Sequence, residues 1–405
     1  MVRVTRTIGI GLVALFVAAS CASPAATPSS APASTAKVAA SAAATAGPPY
    51  EINVILPLTG PVAFLGKPEK EALTVLEGVV NKQGGIKGRP VKFVFYDDES
   101  TKPAVDVQLA NQIIAKKVSV ILGPSLVAAC NAVAPIVAKG PVVYCFSPGI
   151  HPDAGSYMFT GSASTIDLNR ALFKYFKAKG LTKIATLTSS DATGQDADNA
   201  IKIAVTEAAG VTLVAQEHFN TSDVSVAAQI TRVKSSGAQA LVGWTTGGSV
   251  ATIFRGAAQG GLDIPIATTS GNMTYAQMEQ YASFLPKELL IPAPQWAAAA
   301  GAPAGAVHDA IKTYDDALTA AGIKPDIATS LSWDPALIVI TALQKIGPDA
   351  TAEQLRSAIA GLTGFAGVNG VYDFSKTPQR GLTVEQALVT HWDATKKTWV
   401  PVRAP

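Results

Sequence analysis

The residues able to do chemistry are few and scattered. Histidines stand at 151, 218, 308 and 391, and none forms an H-E-x-x-H motif or an i,i+4 ligand pair, so no metal site is expected. A G-x-S-x-G elbow and a G-x-x-x-x-G-K-[ST] loop are both missing. No cofactor is expected, and the chain reads as a non-enzyme. A hydrolase with a dispersed triad leaves no local signature, and turnover of esters or amides is its test. What chemistry there is gathers in two polar turns, around Ser125 and His151. Backbone N–H groups at a helix start, the Ser125 hydroxyl and His151 together suit a carboxylate.

Those turns belong to the stretch Val118 to Pro152, around which the chain is organised. Val118 to Leu122 and Val142 to Phe146 are short, β-branched runs stopped by Gly123-Pro124 and by Ser147-Pro148-Gly149. Both suit buried parallel strands. The Ala-rich segment Val127 to Lys139 is long enough to be the crossover helix between them, which sets the two turns side by side at the strands' carboxyl ends.

A chain of 405 residues, 48% hydrophobic and 15% charged, is long enough for two lobes. Its net charge of +3 drops to about +1 without Arg3 and Arg6 of a leader. With no clustered basic stripe, no C-x-x-C pair and no RRM-like aromatic signature, a nucleic-acid partner is set aside. Residues 1–20 read as a secretory signal: a basic start, an apolar run from Ile8 to Ala19, then Ala18-Ala19-Ser20 before Cys21. From 21 to 50 the composition turns to Ala, Ser, Pro and Thr, which cannot form a core and suits a disordered tether.

Folded sequence begins near Glu51 with strand, helix, strand and helix in turn: Ile52 to Leu56, Glu69 to Lys82, Val91 to Tyr96, Ala104 to Lys117. A second series of the same rhythm follows Thr160. The fold class is α/β, with two doubly wound parallel-sheet lobes joined by crossovers. The first lobe is expected over 51–160 plus 294–368 and the second over 161–293 plus 369–402. Helices are expected over Ala306 to Gly322, Pro335 to Ile346 and Ala352 to Ile359, and late strands over Val371 to Phe374 and Ala387 to Trp392.

Four stretches in order resemble the branched-chain amino-acid binding proteins of ABC importers, within the type I periplasmic binding-protein group. They are PLTGPVAFLGKPEKEAL followed by NKQGGIKGRPVKFVFYDDES, then LANQIIAKKVSVILGP, VVYCFSPGIHP and KIATLTSSDATGQD. The resemblance implies two lobes joined by three crossovers and closing on a solute. Residue by residue it implies a wall at Phe64 or Leu65 and ligand contacts over Ser125 to Val127, at Gly149, at His151 in the place of a Thr, and at Thr193. It implies Thr246 after Trp244, and Ser270 where amino-acid binders carry an acid. The family's serine position falls on Val127. Ala18-Ala19-Ser20-Cys21 also resembles a lipobox, which implies acylation of Cys21. The partners implied are a small-molecule ligand and an ABC permease with its ATPase subunits. The membrane is reached through the lipid anchor alone, with the protein extracytoplasmic and monomeric. A ligand-sensing ectodomain is the other reading of the fold; with no signalling segment after Trp399 it needs a separate membrane partner.

Cys130 and Cys145 survive processing into an oxidising compartment, on a helix and a strand expected to pack together, so a disulfide is one expectation and two buried thiols the other. No Asp or Glu lies between Ile264 and Gln277 to match an ammonium. The ligand is therefore expected to be a small organic acid, aromatic or short aliphatic, in preference to a leucine-like amino acid.

Overall fold

The computed structural model describes residues 47–100, 102–301 and 304–402. The signal segment, Cys21 and most of the tether lie outside the described residues. The first series is β1 (Tyr50–Leu56), α1 (Ala63–Lys82), β2 (Val91–Asp97), α2 (Pro103–Ile114), β3 (Val120–Leu122), α3 (Val127–Val133), β4 (Val142–Cys145) and β5 (Met158–Thr160). Its strands form one parallel sheet in the order β2-β1-β3-β4-β5. Ile52, Val54, Leu56, Ile121 and Val143 are wholly buried there, as a parallel sheet covered by helices on both faces requires.

The second series runs α4 (Thr165–Ala178), β6 (Lys183–Ser189), α5 (Ala192–Glu207), β7 (Thr212–Phe219), α6 (Ala227–Ser235), β8 (Ala240–Trp244), α7 (Ser249–Gln259), β9 (Ile266–Ala267), α8 (Tyr275–Gln280) and β10 (Leu289–Ala293). The chain then returns with α9 (Ala306–Ala320), α10 (Ile327–Ile346), α11 (Ala352–Ala360), β11 (Thr363–Ala366), β12 (Val371–Asp373), β13 (Leu388–Asp393) and β14 (Thr398–Val402). The second sheet has the order β14-β13-β10-β9-β8-β6-β7. It is parallel from β7 to β10, with an antiparallel hairpin, β13 and β14, along one edge.

Two helices start earlier than their prolines suggest. α10 begins at Ile327, eight residues before Pro335, because Asp326 caps it: its carboxylate accepts from Thr329 N at 3.2 Å, and Thr329 Oγ1 accepts from Asp326 N at 2.9 Å. α10 packs along α1, which begins at Ala63 and carries Pro68 inside it. α10 is apolar enough to cross a membrane by length and composition, yet 83% of that window is buried, which makes it the core helix of the first lobe.

The boundary expected at residue 368 falls elsewhere. β12 pairs antiparallel with β11, not with the second sheet. Tyr372 donates to the Gly161 carbonyl at 2.6 Å, Phe374 meets Phe159 edge-on at 5.9 Å, and Gln379 donates to Ser156 O at 3.1 Å. Residues 371–380 thus pack on the first lobe. The chain crosses between the sheets after β5, after β10 and before β13.

Candidate functional site

Every turn expected to meet the ligand leaves the carboxyl end of a parallel strand, where neighbouring chains diverge and open a crevice. Gly123 ends β3 with φ +77°, and a β-carbon there would run into the Ile55 carbonyl oxygen, so the tight turn that lifts Ser125 requires glycine. In the second lobe Asn272 ties two turns together. Its Nδ2 donates to Thr245 O at 2.7 Å, and its Oδ1 accepts from Gly247 N at 3.2 Å.

These turns enclose a cavity of about 30 Å³ between the lobes. Leu65, Ser125, Val127 and Gly149 line it from the first lobe, and Thr193, Trp244, Thr246 and Ser270 from the second. Trp244 is 1% exposed and also belongs to the second lobe's core, so it serves both surfaces. An outer chamber of about 460 Å³ adjoins this cavity, sharing Leu126, Thr193 and Thr246 with it. The inner space is of the order of one or two waters.

Two expected residues lie elsewhere. Phe64 is half-buried against the first lobe's core; with α1 already under way at Ala63, neighbouring side chains point about 100° apart, and Leu65 takes the wall. His151 is outside the cavity wall, 46% exposed, with Nε2 2.6 Å from Asp196 Oδ1 on the opposite lobe.

Asp196 is the residue that sequence reading missed. It lies on α5, lines the cavity, and its Oδ2 is buried with no hydrogen-bond partner among the described residues. The stretch Ile264 to Gln277 holds no acid, as expected, but α5 brings one to the cavity wall. The signal was present in Thr193-Gly194-Gln195-Asp196, since residues three apart share a helix face. Phe146, Ser147, Thr165, Thr269 and Leu331 also line the cavity without having been expected there.

Ser125 does not cap α3, whose N-cap Leu126 makes no side-chain hydrogen bond. Its Oγ instead lies 2.7 Å from Glu69 Oε2, and burial holds Glu69 well above the usual carboxylate range. Arg380, buried, donates to the carbonyls of Ser162 at 2.6 Å and of Ile150; burial pulls its pKa down to about 10. It stitches the first crossover to the turn after β4. Cys130 on α3 and Cys145 on β4 are disulfide-bonded with Cα atoms 6.2 Å apart, joining the elements that present Ser125 and Gly149.

Residues 49–397 match a family model described as periplasmic binding protein. Leu/Ile/Val-binding protein homolog 3 of Brucella melitensis is 29% identical over 198 residues, which is 47% of this chain and 52% of that protein. The chain spans about half the length of the curated relatives it matches. Two solved structures share the fold. The branched-chain amino acid transporter substrate-binding protein of Streptococcus pneumoniae in complex with isoleucine has a TM-score of 0.72 at 20% identity, covering 87% of this chain and 100% of that one. An ABC-transporter solute-binding protein of R. palustris in complex with benzoate has a TM-score of 0.70 at 18% identity, covering 87% and 95%.

Proposed function

Because this chain belongs to the periplasmic binding protein family, we propose that it is the extracytoplasmic solute-capturing component of an ABC importer, taking a small carboxylate-bearing molecule between its lobes. It acts as a monomer, releases its ligand unchanged and delivers it to the permease, and acylated Cys21 holds it at the membrane. The carrying observation is convergence: four expected residues from each lobe line a single cavity at the strands' carboxyl ends. A site divided in this way couples binding to closure, because the ligand completes its contacts only when both lobes meet it. The closed surface is then what the permease reads.

The first lobe supports the carboxylate assignment, with Ser125 and Gly149 on the cavity wall. Trp244 and Leu65 supply apolar wall for an aromatic or short aliphatic body. A second reading, a branched-chain amino acid, is favoured by Asp196. Its unpartnered Oδ2 is the acid that an ammonium group needs in a dry site. Calorimetric titration with benzoate and short aliphatic acids on one side, and leucine, isoleucine and valine on the other, tests both. Binding of the acids alone supports the first reading, and tight binding of the amino acids alone replaces it with the second. Mass spectrometry of small molecules released from the denatured protein identifies the solute directly.

A further inference from the structure

Glu69 meets Ser125 through a side-chain hydrogen bond, and its surroundings are unusual for a carboxyl group. It sits on α1 one turn after Leu65 and is 0% exposed. Oε2 is 2.7 Å from Ser125 Oγ, while Oε1 is buried with no hydrogen-bond partner among the described residues. The neighbouring charges that act on it, Asp98 and Asp326, are both acids. An ionised carboxylate in that position has neither counterion nor enough donors to offset its lost hydration, so the group carries a proton.

Where the proton sits follows from the two oxygens. On Oε1 it would be a buried O–H with nothing to accept it. On Oε2 it is donated to Ser125 Oγ, leaving Oε1 as an unpaired carbonyl, the more tolerable of the two defects. A hydroxyl has one hydrogen and two lone pairs. Once Ser125 accepts from Glu69, its own hydrogen is free to turn into the cavity. We propose that Glu69 is a specificity-determining positioning residue: a buried neutral acid that donates to Ser125 and makes the Ser125 hydroxyl a donor toward a ligand oxygen. An ionised Glu69 would take the Ser125 proton for itself, leaving lone pairs and a second negative charge facing a carboxylate. This inference rests on the carboxylate reading for its consequence, though not for the state of Glu69.

The experiment has two arms. Infrared difference spectra of the ligand-free protein, wild type minus Glu69→Gln, are recorded at pH 7.5. A protonated carboxylic C=O band present in wild type, and shifted in Ser125→Ala, is expected; its absence overturns the proposal whatever the ligand. The second arm measures benzoate and L-leucine affinity, since both probes carry a carboxylate. Glu69→Gln replaces the acid O–H by an amide N–H donor and is expected to bind within about twofold of wild type. Glu69→Met, which cannot donate, is expected to lose about tenfold, and adding Ser125→Ala to it costs little more. Equal losses in the Gln and Met variants overturn the donor role. If wild type binds neither probe, the carboxylate reading fails, and the spectrum still decides the state of Glu69.

Discussion

His151 Nε2 and Asp196 Oδ1 lie 2.6 Å apart across the cleft, one on the turn after β4 and the other on α5. A pair that spans the lobes exists only while they are together, so it contributes to the closed form alone. His151 is 46% exposed and solvent screens the pair, which limits its worth to about 1 kcal/mol. His151→Ala is expected to weaken binding of whichever probe binds wild type about three- to fivefold, and small-angle scattering should show a less compact liganded state. Unchanged affinity and scattering would reduce His151 to a turn residue. Asp196→Asn separates the ligand readings: leucine binding falls far more than benzoate binding if Oδ2 meets an ammonium.

Gly149 faces the same acid. A β-carbon there would stand 2.7 Å from Val127 Cγ2 and 2.8 Å from Asp196 Oδ2, and the second of these is reached only on closure. Overpacking of this kind costs about 1–3 kcal/mol. Gly149→Ala should therefore lower the ligand-free thermal midpoint through Val127, which is on the same lobe, and lower ligand affinity as well through Asp196. A variant with wild-type affinity in calorimetry would show that the crevice has room to give.

The Cys130–Cys145 bridge closes a loop with a sequence separation of 15 residues. Loop-closure entropy puts its contribution at about 3 kcal/mol. Denaturant unfolding of Cys130→Ala/Cys145→Ala should show a loss of that order, and alkylation of the unreduced, unfolded wild type should modify neither residue. Stoichiometric labelling of both would sink the bridge.

Burial raises three carboxyl groups: Asp106 to about 8, with the Asp98 charge assisting, Asp326 to about 7 and Asp334 to about 6. Each keeps its proton up to its own folded value, whereas the unfolded chain gives it up above about pH 4. The folded state binds more protons, so stability is fully present below the unfolded value and is lost as pH rises through the folded ones, by up to about 1.4 kcal/mol per pH unit per group. The thermal midpoint should fall between pH 5 and pH 8.5. Asp326→Asn, which keeps the cap acceptor, should flatten that slope; an equally steep profile in the variant removes Asp326 from the account.

Membrane attachment is expected to depend on Cys21. Cys21→Ala should shift essentially all of the protein from the membrane fraction to the soluble one, and unchanged fractionation would falsify the lipid anchor.

Much of the architecture was written locally. Short β-branched runs ended by Gly and Pro, alternating with helices such as α4 whose Leu168, Leu172 and Phe176 share a face, state how many layers each lobe has and where its turns emerge. That set the turns holding Ser125 and Gly149 side by side, while the family resemblance supplied Thr193, Trp244, Thr246 and Ser270, which line the same cavity. Short strands escaped it: β5, β11 and β14 run three to five residues, and β12 finds its partner in a neighbouring hairpin that no apolar pattern names. The choice of Leu65 over Phe64 also lay beyond it, because α1 starts where packing on α10 lets it start, Pro68 notwithstanding. The spacing Thr193 to Asp196 put an acid on the cleft-facing side of α5, but what that acid meets was decided by tertiary structure. Periodicity reports which face an element buries against its own sheet. Whether Asp196 meets His151, and Glu69 meets Ser125 56 residues away, depends on how separate elements close on one another.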